Sequence, residues 1–303
     1  MADIFCPICK SEAKILHKNG KDYFIGRGKS ADFDINYCAV CQTAFSSPFL
    51  TDKELTFFYP ENYEAYAGKK GFLGWLQVLK YKADLRLIKK TIKKSGASIF
   101  EIGAGRGEFL DQARYFGFKI AGLEPGRAGR DFAQKNYNII LQPGLADGLI
   151  FGQKYDLMVA RHVFEHLNDP KQILAGIKEG LADNGILFLK LPRFDSWEAR
   201  FFKKYWSGYD LPRHRFHYSS EGILKLLQNC GFDQIKIISE QVPSDIIRSL
   251  EYYCLGEKDF WSGLFNLFLF LPSPIKLILA QLAALVFSPF GSGRMIIVAK
   301  NRK

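Results

Sequence analysis

An α/β chain with a largely parallel sheet is the fold class the sequence predicts, with a small cysteine-bearing module in front and an apolar helical insertion near the end. Three observations point there: a glycine-rich turn between a strand pattern and a helix pattern at 98–110, "SIFEIGAGRGEFL"; an alternation of β-type and helical runs from there to about residue 240; and two C-x-x-C pairs within the first 41 residues. The 303 residues, 48% apolar, suffice for one large domain plus attachments. The formal charge of +11 favours acidic partners, whether nucleic acid, phosphate-bearing substrates or an anionic membrane face, without choosing among them. The start, "MADIFCPICK", has no long apolar run, so no secretory leader is expected.

Cys6-Pro7-Ile8-Cys9 and Cys38-Ala39-Val40-Cys41 make two knuckles that can offer four thiolates to one tetrahedral Zn²⁺. The 28 residues between them are longer than usual for this pattern. They have room for a β-hairpin, with Gly20, Gly26 and Gly28 as turn candidates. Two disulfides or a redox pair are the competing readings. With four sulfurs on the metal no position stays open, so such a zinc is structural and implies a reducing compartment. Cys230 and Cys254 are isolated and read as buried fillers.

In "SIFEIGAGRGEFL", a strand meets glycines at 103, 105 and 107, and a helix follows with Phe109, Leu110, Ala113 and Phe116 on one face. Gly103 and Gly105 permit a sharp turn and close approach of a ligand to the backbone. The spacing is G-x-G-x-G, not the dinucleotide G-x-G-x-x-G. Glu101 stands two residues before the first glycine, where it would repel a pyrophosphate and attract an ammonium. Next comes "KIAGLEP", a second strand ending in Glu124, 21 residues after Gly103. An acid there can accept hydrogen bonds from both ribose hydroxyls. The order continues with "NIILQP" as a third strand and "YDLMVARHV" as a fourth. A helix follows, capped by Asp169, with Pro170 at its first position and Gly185 as its stop. "GILFLKLP", "DQIKIIS" and "RMIIVAKN" complete the strands, with the helix "SSEGILKLLQNCGF" between the fifth and sixth.

"EIGAGRGEFL" and "GLEP" resemble the first two motifs of the class I S-adenosylmethionine-dependent methyltransferases. The resemblance covers about residues 95–240 and 294–303. It implies a Rossmann-like sheet of seven strands, mostly parallel with the last reversed. It also implies that Glu101 lies near the methionine amino group, that Gly103, Ala104, Gly105 and Gly107 line the cofactor, and that Glu124 with Pro125 holds the ribose. Many relatives have an acid after the third strand for the adenine; here Gln142 and Asp147 are the nearest polar residues.

"RHVFEHLNDP" at 161–170 contains H-x-x-E-H, the signature of an inverted zinc protease. That chemistry needs its ligands on a sustained helix, yet this triplet follows a strand and Asp169-Pro170 starts a new helix at once. The stretch resembles instead the E-H-L-x-D-P turn common after strand four of the methyltransferases. Arg161 and His162 would then stand beside the cofactor, at the carboxyl edge of the sheet. A related turn in quinone O-methyltransferases is linked to a metal, but His162 stands where those enzymes have an acid, so no catalytic metal is expected.

Methyl transfer from a sulfonium requires alignment of the nucleophile and often removal of a proton. The best base candidate is His214 in "DLPRHRFHYSSEGILKLL", with His217 second. The segment resembles a signature of sugar methyltransferases that carry an N-terminal zinc module. Tyr59, Tyr63 and Tyr66 of "FFYPENYEAY" resemble the lid helix of that subgroup, which is associated with surface-glycan (polysaccharide) and lipid-linked sugar biosynthesis. The implied reaction is O- or C-methylation of a small-molecule, sugar or lipid-linked acceptor, with S-adenosylmethionine and structural Zn²⁺ as cofactors. Two readings compete: an RNA methyltransferase, favoured by the charge and by "LIKKTIKK" (Leu87–Lys94), and a non-catalytic zinc-ribbon adaptor. The basic residues lack interleaved aromatics, which weighs against RNA. Intact Glu101, glycines and Glu124 weigh against the adaptor.

The organisation expected is a zinc ribbon (1–50), a helical linker or lid (51–94), the cofactor-binding core (95–240), an apolar insertion (241–293) and the last strand (294–303). In the insertion, 260–275 and 277–293 carry no charge and only Lys276 separates them. Pro272 and Pro274 break the run into two helices, each too short for a full span of about 20 residues. A hairpin dipping into one leaflet is expected, the chain being cytoplasmic and peripheral at the inner membrane face. The alternative is a buried hairpin that caps the core or forms a homodimer interface.

Overall fold

The computed structural model describes residues 4–24, 32–59, 68, 71–146 and 151–302. Gly26, Gly28, Tyr63, Tyr66 and Asp147 lie outside the described residues. Two sheets organise the chain. The first comprises β1 (Ile4–Phe5), β2 (Glu12–Gly20), β3 (Phe33–Cys38) and β4 (Thr43–Ser47), each antiparallel to the next. The interval between the cysteine pairs does hold a β-hairpin, β2 with β3. Its fifth strand, β9 (Phe216–Tyr218), comes from far along the chain and pairs antiparallel with β4.

The second sheet contains β5 (Ser98–Ile102), β6 (Lys119–Leu123), β7 (Tyr155–Arg161), β8 (Leu181–Pro192), β10 (Phe232–Glu240) and β11 (Arg294–Asn301). Their order is β10-β11-β8-β7-β5-β6. β11 runs antiparallel to both of its neighbours, β10 and β8; β8, β7, β5 and β6 are mutually parallel. The reversed last strand is as expected, but the described residues form six strands, not seven. The expected third strand is reduced to one bridge, Gln142 against Leu123, with two backbone bonds of 2.9 Å each. Ile139 and Leu141 are buried and Ile140 is 81% exposed, the alternation of a half-buried strand, but Pro143 has no N–H to extend the ladder beyond Gln142.

Helices α1 (Asp52–Thr56) and α2 (Gly71–Ile92) precede the sheet. Between strands lie α3 (Glu108–Tyr115), α4 (Arg127–Tyr137), α5 (Pro170–Gly180), α6 (Trp197–Phe202) and α7 (Ser220–Asn229). Tyr81, Leu85 and Ile88 of α2 pack with Ile99, Phe109 and Leu157 on one face of the sheet; Ile173, Leu174, Ile223 and Leu227 of α5 and α7 cover the other. Asp169 caps α5 through bonds from the Lys171 and Gln172 amides. The helix stops at Gly180 rather than Gly185, because the chain turns extended at Leu181 and enters β8.

Between β10 and β11 stand α8 (Pro243–Gly256), α9 (Phe260–Leu269) and α10 (Ser273–Phe287). Pro272 ends the first apolar piece, and Pro274 sits in the first turn of the second. The second piece is longer than expected. With the 3₁₀ turn Ser288–Phe290 it gives 18 residues of mean hydropathy 1.5, long and apolar enough by length and composition to cross a membrane.

Candidate functional site

Strand order reverses between β5 and β7, so the loops at their carboxyl ends flank the crevice where open α/β sheets bind ligands. Gly103, Gly105 and Gly107 all have positive φ, at 68°, 54° and 73°. A Cβ on Gly103 would lie 2.6 Å from Val163 Cγ2, whereas one on Gly105 would meet nothing within 4 Å. The first glycine is therefore required by packing. The second lines open space, as a cradle for a ligand does. The Ala104 amide donates to the Leu123 carbonyl at 2.9 Å and ties the loop to β6.

Glu124, 4% exposed at the end of β6, accepts from the Gly105 amide through Oε2 and from the Gly126 amide through Oε1, both at 2.7 Å. The carboxylate thus ties the glycine loop to the turn leading into α4. Arg130 Nη1 donates to the Glu124 and Pro125 carbonyls and fixes that turn. Gly129, which sequence reasoning missed, belongs to this cradle: a Cβ there would lie 2.5 Å from the Gly105 carbonyl oxygen.

Glu101 is fully buried. Its Oε1 accepts from Arg161 Nε and Nη2 at 2.9 and 2.8 Å. The guanidinium lies over the rings of Phe109 and Tyr81, 4.1 and 4.7 Å from their centroids. Arg161 therefore serves Glu101 directly. Glu101 Oε2 is buried and has no hydrogen-bond partner. Burial pushes the carboxyl up to about 7 against the opposing pull of Arg161. An orphaned buried oxygen on a paired carboxylate fits an arriving ammonium.

His162 has φ 57° directly after β7. Its Nε2 lies 3.1 Å from Arg294 Nη1, which can only donate, so Nδ1 carries the proton and points at Glu165 Oε1, 3.4 Å away. Burial and then Arg294 hold its pKa well below the usual histidine range. Asp245 of α8 completes the chain by pairing with Arg294 at 2.6 and 2.8 Å.

His214 lies in the loop before β9. Its Nδ1 is 2.8 Å from the Gly208 carbonyl, which accepts, so Nε2 bears the lone pair. That nitrogen is 3.8 Å from Asp210 Oδ2 and 3.9 Å from Glu165 Oε1, beyond hydrogen-bond reach of either. Burial lowers its pKa and keeps the ring neutral. The ring stands edge-on to His166, with centroids 4.6 Å apart. The fold thus brings His162, Glu165, His166 and His214 together. His217 is set apart: it is 2% exposed, with Nε2 on Ser46 Oγ at 3.0 Å and its ring against Tyr209.

The arginines of "PRHRF" were not singled out by sequence reasoning. Arg213 is fully buried and pairs with Asp22 at the end of the β2–β3 hairpin and with Asp210, at 2.8 and 2.7 Å. Arg215 binds Asp52, the Leu50 carbonyl and Asn168. With β9 they fasten the cysteine-bearing sheet to the loop that holds His214. In that sheet Cys6 Sγ lies 3.5 Å from Cys41 Sγ, and Cys9 Sγ lies 3.4 Å from Cys38 Sγ. All four sulfurs fall within 4.8 Å of one another and none is in a disulfide, whose S–S bond would be near 2.05 Å. Lys10 and Gln42, each following a knuckle, take positive φ and let the chain turn away.

Fold and cradle together define a class I methyltransferase. The chain belongs to the family described as "Methyltransferase domain", which matches residues 76–237, more than half of the sequence. It is an S-adenosylmethionine-dependent methyltransferase. No curated protein matches it by sequence. Among solved structures it resembles a Listeria monocytogenes protein assigned as an S-adenosylmethionine-dependent methyltransferase, with TM-score 0.50 and 11% identity over 75% of this chain and 100% of that one. It also resembles a chain of the Haloferax volcanii complex containing the Trm112 methyltransferase activator, with TM-score 0.50 and 16% identity over 79% and 98% of the two chains. The geranyl diphosphate C-methyltransferase of Streptomyces coelicolor A3(2) matches with TM-score 0.48 and 13% identity over 73% and 76%.

Proposed function

We propose that this methyltransferase acts on an oxygen or carbon of a small sugar-like or lipid-linked acceptor, and that His214 takes the acceptor's proton. The observation that carries this is His214 Nε2, a neutral lone-pair nitrogen without a hydrogen bond, beside the turn that packs on Gly103. The cofactor supplies an electrophilic methyl on a sulfonium. Gly103–Gly107 shape its cradle, Glu124 receives the ribose hydroxyls, and Glu101 Oε2 receives the ammonium. Incubation with labelled methyl donor and separated lipid, sugar-nucleotide, protein and RNA fractions tests the acceptor class. Label in RNA alone would sink this reading.

Cofactor affinity should fall as pH drops from 8 to 6. The ionised Glu101 holds the ammonium, and its carboxyl, raised to about 7, takes up a proton across that range. Calorimetry across pH that shows flat or rising affinity toward acid would contradict the role.

The four cysteines constitute a structural zinc site in this reading. Protein washed briefly with chelator should keep near one equivalent of zinc. Cys38→Ser should lose it, together with much of the stability of the first sheet. Zinc-free, folded wild-type protein would refute the site.

The apolar hairpin is read as a lipid contact, and its packing supports this. Small Ala280 and Ala284 face inward, whereas Ile275, Ile278, Leu279, Leu282, Leu285 and Val286 are exposed. On α9, Phe260, Leu264 and Leu267 are exposed as well, as is Phe270 at its C-cap. Putting the large apolar residues outside inverts the usual pattern of a surface helix. The one charge in the run, Lys276, bonds the Leu269 carbonyl and so caps α9. Such a surface favours a lipid-linked acceptor over RNA. The intact protein should sediment with liposomes, more strongly with anionic lipid, and Leu267→Ser/Phe270→Ser/Leu282→Ser should not. A soluble dimer that ignores every lipid and is broken by the triple variant would make the hairpin a dimer interface instead.

A further inference from the structure

Glu165, His166 and His214 come from two parts of the chain and converge behind the cofactor loop. Glu165 is 1% exposed and neither of its buried carboxylate oxygens accepts a hydrogen bond; one donor, the His162 Nδ1–H, stands 3.4 Å from Oε1. A carboxylate left in that state costs several kcal/mol unless something binds it. The two imidazoles are arranged alike. His166 Nδ1 lies 3.0 Å from the Arg213 carbonyl, with the Tyr59 hydroxyl also 3.2 Å away, and His214 Nδ1 lies 2.8 Å from the Gly208 carbonyl. A carbonyl only accepts, so each Nδ1 carries the proton and each Nε2 keeps a lone pair. Metal-binding histidines are oriented in this way, their second nitrogen bonded to a backbone carbonyl or carboxylate. One donor atom from each of the three residues lies within 4.8 Å of the others.

We propose that Glu165, His166 and His214 bind one divalent transition-metal ion, of the kind that accepts two imidazoles and a carboxylate, with a coordination position left for the acceptor's oxygen. Two nitrogens and one oxygen suit zinc or cobalt better than magnesium or calcium, which prefer oxygen ligands throughout. Three protein ligands with a fourth place open is the arrangement of catalytic rather than structural zinc. The site adjoins the cofactor cradle: Val163, two residues before Glu165, packs on Gly103. Position 162, where the related turn has an acid, holds a histidine. The third ligand comes instead from His214, 48 residues beyond His166.

This inference rests on the proposed methyl transfer and deepens it by giving His214 the part of a metal ligand in place of a free base. With the ion in place, His214 Nε2 is a ligand. The acceptor hydroxyl would coordinate and lose its proton to solvent water; its oxygen would then bond to the methyl carbon as the methyl–sulfonium C–S bond breaks and S-adenosylhomocysteine leaves.

The test uses the full-length protein, washed briefly with chelator and with its cysteine-bound zinc counted. It is titrated with Zn²⁺ by calorimetry and with Co²⁺ by visible absorption. One further equivalent is expected, and the added cobalt should show ligand-field absorption without thiolate charge transfer. Glu165→Gln and His214→Gln, which preserve volume, should weaken it at least about tenfold. No further equivalent in protein that binds S-adenosylmethionine would overturn the site and leave the proposed function standing. Protein that binds no S-adenosylmethionine would overturn the function itself. Unchanged metal binding in Glu165→Gln, or a cobalt spectrum with thiolate bands alone, would also overturn the site, and the wild-type spectrum decides it even if a variant fails to fold.

Discussion

Replacing His214 with alanine lowers turnover by roughly 10² to 10⁴, the usual contribution of a positioned proton acceptor, and leaves cofactor affinity nearly unchanged. The ring is held in one orientation by the Gly208 carbonyl and by its edge contact with His166. Its working nitrogen is neither protonated nor engaged in a hydrogen bond. The cofactor's own holders, Glu124 and the glycines, lie on β5 and β6 and the loops after them, so the substitution separates turnover from binding. His217→Ala is the contrasting variant. That side chain bonds Ser46 and packs on Tyr209, so its loss should lower thermal stability while chemistry survives. The measurement is single-turnover methyl transfer to the acceptor, with cofactor Kd determined in parallel. Full turnover by His214→Ala would remove it from the mechanism. Glu165→Gln then distinguishes a free base from a metal ligand: a free imidazole keeps its lone pair in that variant, whereas a metal would lose its carboxylate.

What the sequence discloses here depends on how local the cause is. The glycine loop, Glu101 and Glu124 occupy one strand-turn-helix-strand unit, and their spacing alone places them around one crevice. The two C-x-x-C pairs are equally legible, because a knuckle is a four-residue device. The partners of His214 were not. Glu165 and His166 meet it only because β9 is drawn into the cysteine-bearing sheet and Arg213 reaches Asp22, 191 residues away. No periodicity or spacing encodes that closure. The third strand is cut short for a local reason: "NIILQP" has the composition of a strand and buries Ile139 and Leu141, but Pro143 has no N–H to carry the ladder past one bridge. In the apolar insertion the sequence shows that both helices are greasy. Only the fold shows that alanines face inward and leucines face out.

Glu124→Ala should weaken S-adenosylmethionine binding at least tenfold. Two charge-assisted hydrogen bonds to the ribose hydroxyls would be lost, each worth about 1.5–3 kcal/mol. The structure adds a second cost. The same carboxylate receives the half-buried Gly105 and Gly126 amides at 2.7 Å, so its removal takes the acceptor from two donors and loosens the turn that shapes the cradle. A donor that solvent can partly reach costs less than the about 1–3 kcal/mol of a fully buried one, so thermal stability should fall modestly along with affinity. Glu124→Gln probes the two functions separately. Its amide oxygen can accept one of the two amides, but its NH₂ group donates and so opposes the other, which predicts a loop disturbed on one side and an affinity between wild type and alanine. Glu124→Asp keeps both acceptors on a stem shorter by one methylene and should stay closest to wild type. Calorimetric titration with S-adenosylmethionine, beside melting curves of the free proteins, reads both effects. An alanine variant with wild-type affinity would show that the acid at the end of β6 supports the loop alone and that the ribose is held elsewhere.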